Sequence, residues 1–317
     1  MSWLNSECKT QRPSCTQEAS QKPEHLPVMV IEVLKILECK KGQIFVDLTI
    51  GGGGHAQAIL EATSSTGFLG GADRDRTAIE RTASRLKSFG GRFRLIHDSL
   101  SNVEGILSIL NLSRIDGVLI DCGLSSHQLN DLERGFSFKS QSSLDMRMDQ
   151  SQGKTAMQWL AKISENELSG IIFRYGEDRY GRRIAKAIVR ARNTRRLKTA
   201  FDLAQVIRSA VPFQGGPRAI NPATRTFQAI RIVLNRELEE LEVGISALLR
   251  ILPSHAKIVV ITFHSLEDRI VKNLFKNGEK SLVGRVLLKK PLRPTGEEIF
   301  RNPRSRSAKL RAFEVLR

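Results

Sequence analysis

From about residue 28 onward, short apolar runs alternate with stretches in which apolar residues recur at helical spacing. The runs Ile44-Phe45-Val46-Asp47-Leu48, Phe68-Leu69-Gly70-Gly71-Ala72, Phe93-Arg94-Leu95-Ile96-His97 and Gly117-Val118-Leu119-Ile120-Asp121 have the length and branching of buried strands. They predict strands over 44–48, 66–72, 93–97 and 117–121, separated by helices over 28–37, 56–62, 76–88 and 103–110. Strands regularly separated by helices imply right-handed crossovers and a parallel sheet, so the fold class is α/β and doubly wound.

This rhythm stops at Gly123 and resumes near Asn221. Between them lie a loop-like stretch, 135–153, and helical patterns over 156–160, 165–174, 179–191 and 200–210, which suggest an inserted helical domain over 126–220. Asn221 can cap the next helix, Pro222 suits its first position, and Phe227, Ile230, Leu234, Leu238, Leu241, Ile245 and Leu248 continue one helical period. A strand over 257–263, a helix over 265–275 and strands near 285–288 and 310–315 follow, the last two fitting an antiparallel edge pair. The sheet domain is therefore expected over 23–125 and 221–317. Residues 1–22, polar and rich in Ser, Gln and Thr, are expected to form a disordered tail.

Composition narrows the partners. Fifty Lys and Arg against 33 Asp and Glu give a formal net charge of +17, which in a chain with ample apolar content for a core favours a polyanion, nucleic acid first. The four cysteines, Cys8, Cys15, Cys39 and Cys122, form no C-x-x-C pair and have no His/Cys set at zinc spacing, so neither a disulfide framework nor a metal is expected. No signal-peptide core and no run near the roughly 20 apolar residues of a membrane span is present. The expected home is the cytoplasm.

Candidate chemistry gathers where strands end, because the crevice of a doubly wound sheet lies beyond their carboxyl ends. After Asp47 come Gly51-Gly52-Gly53-Gly54-His55, a strand-to-helix turn without side chains that can bring backbone amides against a ligand. Asp73 stands about 20 residues beyond these glycines, where a carboxylate can accept from both hydroxyls of a ribose, although it could instead be a turn residue. Asp75 is placed to cap the following helix. Gln57 stands where a dinucleotide fingerprint needs its third glycine, and His55-Ala56 replaces the Lys-Ser/Thr of a P-loop. The remaining ligand is a nucleoside with a cationic tail, S-adenosylmethionine, with Asp121 near its amino acid or sulfonium end and Asp98 near its adenine amine.

Several strings together resemble one family. His25-x-Pro27-Val28, Asp47-x-Thr49-x-Gly51-x-Gly53-Gly54-His55, Asp121-x-Gly123-x-Ser125-Ser126-x-Gln128-Leu129, Arg134-Gly135-Phe136-Ser137-Phe138 and Leu144-Asp145-Met146-Arg147-Met148 are similar to the bacterial 16S ribosomal RNA cytosine-N4 methyltransferases, the RsmH or MraW family. So are Tyr175-Gly176-Glu177, Pro222-Ala223-Thr224-Arg225-Thr226-Phe227-Gln228-Ala229, Phe263-His264-Ser265-Leu266-Glu267-Asp268-Arg269 and Asn302-Pro303-Arg304-x-Arg306-Ser307, so that the likeness runs from His25 to the end of the chain. It implies a class I methyltransferase fold, a small-ribosomal-subunit substrate and methylation of a cytidine near the decoding centre. Carried over by position, the family's cofactor contacts fall on Gly53, Gly54, His55, Asp73, Leu100, Asp121 and Gln128. The chain departs from the family at Leu100, where Phe is common, and at His127, where Pro is common. Leu100 can cover an adenine face but forgoes aromatic stacking.

The exocyclic amine of cytosine is a poor nucleophile, so positioning must carry most of an in-line transfer. The Asp/Asn-Pro-Pro-Tyr/Phe tetrad of many amino-methylating enzymes is absent, which leaves Asp121, the loop 123–128, His264 and Ser265 as candidate acceptors and catalytic residues. Ser265 could equally open a capping box with Asp268, and His264 could be a satisfied strand-end histidine. For RNA, Arg179, Arg182, Arg183, Lys186 and Arg190 place cations at helical spacing opposite Ile184, Ala187, Ile188 and Ala191. A second basic run, Lys289, Lys290, Arg293, Arg301, Arg304, Arg306, Lys309 and Arg311, follows near the end. Aromatics do not interleave with these charges, which predicts phosphate contact more than base stacking.

Overall fold

The computed structural model describes residues 27–212 and 221–317. The expected tail, His25, Cys8, Cys15 and the domain boundary at 220 lie outside them.

Among the described residues one seven-stranded sheet has the order β3-β2-β1-β4-β5-β7-β6. Its first half is α1 (Val30–Leu37), β1 (Ile44–Asp47), α2 (Gly54–Ala62), β2 (Phe68–Asp73), α3 (Arg76–Arg85), β3 (Phe93–His97), α4 (Val103–Leu110) and β4 (Gly117–Asp121). Next come α5 (Ser126–Asn130), α6 (Ala156–Leu160), α7 (Glu165–Gly176), α8 (Gly181–Asn193), α9 (Ala200–Ala210), α10 (Ala223–Asn235) and α11 (Glu237–Ile251). The chain closes with β5 (Lys257–Thr262), α12 (Ser265–Lys280), β6 (Gly284–Val286), α13 (Gly296–Arg301) and β7 (Lys309–Val315). Strands β1 to β5 pair in parallel, whereas β7 runs antiparallel to both β5 and β6. The last two strands do pair antiparallel, but β7 lies inside the sheet and only β6 forms its edge.

Alternation along the central strands sets the layers. Val118, Ile120, Ile258 and Val260 pack with α4, α11 and α12 on one face, while Leu119, Val259 and Ile261 pack with α1 and α2 on the other. Each strand is thus apolar on both sides, as a sheet covered by helices on both faces requires. A third cluster joins Phe136, Leu144, Leu168, Ile184, Leu203 and Ile230 from helices α6 to α10 and the stretch before them. The stretch 135–153 carries no helix or strand beyond an isolated bridge from Ser143 to Thr199.

The expected single helix from Pro222 to Leu248 is two helices. Arg236, with φ 50°, ends α10 and starts α11. The reason is a change of core: Ile230 belongs to the helical cluster and Leu241 to the sheet cluster, so an unbroken helix could not present its apolar stripe to both. Asn235 fixes the corner, its side chain accepting from Met148 N at 2.7 Å and donating to Met146 O at 2.9 Å. The helix starts one residue later than expected, with Pro222 at the N-cap and Ala223 first, although Asn221 Oδ1 still accepts from Ala223 N at 3.0 Å.

Candidate active site

A cleft opens along the carboxyl ends of β1, β2, β4 and β5. Its walls include Gly51, Gly52, Gly54 and His55 of the turn, Asp73 at the end of β2, Asp121 at the end of β4 and Phe263 after β5.

The turn depends on missing side chains. Gly51 and Gly53 have φ of 51° and 76°, and a Cβ on Gly53 would meet Thr82 Cγ2 at 2.9 Å. Gly54 opens α2 with its Cα against Pro27, where a Cβ would lie 2.9 Å from the ring. Around this bend Thr82 Oγ1 donates to Gly51 O at 3.1 Å and Arg85 Nη1 to Gly52 O at 2.9 Å, so its shape is held from outside the cleft.

Carboxylates meet at the turn. Asp73 accepts from Gly51 N at 2.9 Å through one oxygen and from Asp75 N at 2.8 Å through the other. Burial pushes its carboxyl up to about 6, against the opposing effect of these backbone N–H groups. Asp47, buried beneath the turn, accepts from Thr49 N at 3.0 Å and is pushed by burial up to about 7, with His55 acting against that rise. Thr49 Oγ1 accepts from Asp121 N at 2.6 Å, which ties the end of β4 to the turn. His55 Nε2 lies 3.5 Å from Asp121 Oδ2, and neither ring nitrogen has a hydrogen-bond partner among the described residues. A buried imidazole left in this condition calls for a polar group from outside the chain.

Of the residues singled out from sequence, Gly54, His55, Asp73, Leu100, Asp121 and Gln128 line this one cleft, while Gly53 shapes it from behind. Gln128 also braces the loop: Oε1 accepts from Ser125 N at 3.0 Å and Nε2 donates to Asp75 Oδ2 at 2.9 Å. Asp75 is the N-cap of α3, as its sequence position suggested, and also receives buried Arg134 at 2.9 Å. Asp98 lines a neighbouring cavity instead, its oxygens taken by Ser99 N and Asn102 Nδ2 at 2.7 Å each.

His264 and Ser265 sit beside the cleft rather than on its wall. The capping box at α12 is one residue earlier than the Ser265-to-Asp268 pattern suggested: His264 is the N-cap and Glu267 its reciprocal partner. Ser265 Oγ donates to Glu177 Oε2 at 2.7 Å, and Asp268 is instead paired with Lys309 at 2.9 Å and Arg311 at 2.7 Å. Sequence reasoning passed over Glu237, Glu240 and Glu267, which do line the cleft, and buried Asp47. The signal for Glu267 was its place three residues after a strand-end histidine.

The basic surface divides in two. On α8 and beyond it, Arg182, Arg183, Lys186, Arg190, Arg195, Arg196 and Lys198 are exposed or half-buried and ion-pair with nothing among the described residues. In the second run, Lys309 and Arg311 hold buried Asp268 and are structural, whereas Arg301 pairs with Glu297 on the open surface. Aromatics also come closer to the cations than expected: Arg179 lies over the Tyr180 ring at 4.8 Å, and Phe173 is 68% exposed on neighbouring α7.

A doubly wound sheet with a reversed strand inserted beside β5, a glycine turn after β1 and an acid ending β2 make up the class I methyltransferase fold. The chain belongs to the MraW methylase family, whose model matches residues 22–316. It is 45% identical over 308 residues to the ribosomal RNA small subunit methyltransferase H of Syntrophotalea carbinolica, covering 92% of this chain and 98% of that protein. The protein of the same name from Persephonella marina is 46% identical over 288 residues, covering 91% and 98%. Among solved structures, Aeropyrum pernix fibrillarin in complex with S-adenosyl-L-methionine matches 89% of this chain and 74% of its own at a TM-score of 0.41 and 8% identity. No helix among the described residues is long and apolar enough to cross a membrane.

Proposed function

We propose that this protein is an S-adenosylmethionine-dependent methyltransferase acting on the exocyclic N4 amine of a cytidine in 16S ribosomal RNA, near the decoding centre of the small subunit. The observation that carries the reading is the convergence of a bare amide turn, Asp73 and Asp121 in one cleft, in a chain 45% identical to a small-subunit methyltransferase along nearly its whole length.

The residues present fit the cofactor. Asp73, at the end of β2, has the acceptor lobes for two ribose hydroxyls, and Leu100 supplies an apolar wall for a base. Asp121, His55 and the amides at Gly51–54 suit a charged amino acid end and a sulfonium, and His55 has unmet hydrogen-bonding capacity there. When bound, that group supplies an electrophilic methyl carbon. Asp121 is the first candidate to orient the target amine, because it ends β4 at the cleft with a side chain still 20% exposed. His264 and Ser265 contribute, in this reading, by fixing the first turn of α12.

The exposed α8 cations give the phosphate-binding face, and the helical unit of roughly 126–220 is the substrate-recognition domain. A non-catalytic RNA-binding protein would use the same charges but has no use for the strand-end acids. Incubation of the purified protein with S-adenosylmethionine and small-subunit RNA, followed by nucleoside mass spectrometry, should yield N4-methylcytidine. Methylation of another nucleoside, or of none, would refute the proposal.

A further inference from the structure

Just past Asp121, the cleft runs into a pocket of acids that the proposed reaction has not used. Glu237 and Glu267 line it, with Cys122 and Phe263 beside them. The two acids differ in what they face. Glu237 is bound through both oxygens by Arg231, at 2.8 Å each, so its charge is neutralised and its hydrogen bonding directed away. Glu267 is buried, and no Lys or Arg pairs with it among the described residues. One of its oxygens accepts from Phe263 N at 2.8 Å and His264 N at 3.3 Å. The other lies 3.0 Å from His264 Nε2, yet that nitrogen, on a side chain 9% exposed, makes no aligned hydrogen bond to it.

The oxygen beside His264 is not fully enclosed, since only the His264 nitrogen is left both buried and without a partner, so this face of the carboxylate is open to a donor from the cleft. Glu237, His264 and Glu267 come close enough together to suggest a cation, but Arg231 already fills that role at Glu237 and would repel a metal ion. An N–H donor is the better complement. Glu267 opens the helix after β5, next to the strand whose end carries Asp121, so it borders the space where a target base would meet the methyl donor.

Building on the proposed function, we infer that Glu267 is a catalytic and specificity-determining residue: the oxygen beside His264 accepts a hydrogen from the exocyclic amine of the target base, and His264, its partner in the capping box, positions it. As the new N–C bond forms from the nitrogen lone pair, the S–C bond breaks and its electron pair stays on sulfur. The alkylated nitrogen, now positively charged, loses one proton to the Glu267 carboxylate, which passes it to solvent. Atoms and charge balance with no further reactant. The same oxygen discriminates between bases, because uridine presents a carbonyl lone pair where cytidine presents N–H, and two acceptors face to face repel.

The test uses the full-length protein with S-adenosylhomocysteine bound and two short RNAs that differ only in cytidine or uridine at the target position. The wild type should bind the cytidine RNA about tenfold or more tightly. Glu267→Gln, whose amide can donate to a carbonyl, should lose most of that preference while its affinity for S-adenosylhomocysteine and its melting temperature stay near wild type. Its kcat with S-adenosylmethionine should fall on the order of 10²-fold or more, with a smaller change in KM for RNA. If Glu267→Gln does not fold, Glu267→Asp is read instead and should lose at least about tenfold in kcat, since the carboxylate withdraws from the amine. Unchanged base preference together with near-normal kcat in the folded variant would overturn the inference, as would a wild type indifferent to the base. Were the wild type to transfer no methyl group at all, the proposed function would fail, while the binding preference would still decide the role of Glu267.

Discussion

Ser265 Oγ donates to Glu177 Oε2 at 2.7 Å, which joins the first residue of α12 to the left-handed residue that ends α7. Arg269 Nη2 lies 3.5 Å from the other Glu177 oxygen, and Arg225 donates to the Glu177 carbonyl at 3.1 Å. A serine singled out for chemistry thus anchors the helical unit to the sheet. Ser265→Ala should cost about 0.5–1.5 kcal/mol of stability, as expected for one hydrogen bond to a charged partner near the surface. It should leave affinity for S-adenosylhomocysteine unchanged and lower turnover by less than about tenfold, as should Glu177→Gln. Denaturant melts and calorimetry on both variants check this. A complete loss of turnover in Ser265→Ala with unaltered stability would return the hydroxyl to a direct chemical role.

Cofactor affinity should depend on pH through Asp73. Burial raises its carboxyl to about 6, so the ionised form that accepts from two ribose hydroxyls dominates above that pH and is lost below it. The dissociation constant for S-adenosylhomocysteine should therefore be flat above about pH 7 and rise by up to about tenfold per unit as pH falls below about 6. Asp47, raised to about 7, lies in the same cluster, so the control is Asp73→Asn, which should bind weakly and show a flattened profile. Equally steep weakening in Asp73→Asn would assign the titration to Asp47.

The glycine turn should tolerate no methyl at position 53. Gly53→Ala imposes a left-handed φ on a residue with a Cβ, at about 1–2 kcal/mol, and drives that carbon against Thr82. The turn can relieve the clash only by shifting the amides of Gly51 and Gly54, so cofactor affinity should drop along with stability. Adding Thr82→Ser, which removes the Cγ2 nearest to the new carbon, should recover part of both losses, measurable by calorimetry and thermal melts.

Binding to small-subunit RNA should weaken steeply with salt, and α8 should account for much of the slope. The triple variant Arg182→Glu, Arg183→Glu, Lys186→Glu alters three exposed cations, without an ion pair among the described residues, and does not touch the buried face formed by Ile184 and Ile188. Its plot of log affinity against log salt should be shallower by about one unit for each phosphate that these cations no longer neutralise. An unchanged slope would move the RNA to another surface.

Periodicity made the sheet legible, because a strand covered on both faces is apolar throughout: Gly117-Val118-Leu119-Ile120-Asp121 and Lys257-Ile258-Val259-Val260-Ile261-Thr262 both show it. The break at Arg236 was hidden because the apolar spacing continues across it while its target changes from one core to another. In the site, Asp73 and Asp121 were visible as acids closing apolar strands. Glu237 and Glu267 were not, because acids in the first turn of a helix are ordinary partners of its dipole and only the tertiary fold turns them toward the cleft. Ser265 misled for the opposite reason: it follows a strand end, but its hydroxyl faces Glu177.

Calorimetric titration of the purified protein with S-adenosylmethionine and with S-adenosylhomocysteine tests most directly whether the amide turn and the strand-end acids form a cofactor site. Saturable binding of both, at one site per chain and strongly reduced in Asp73→Ala, is the predicted result. Absence of saturable binding by a folded wild-type protein would contradict it.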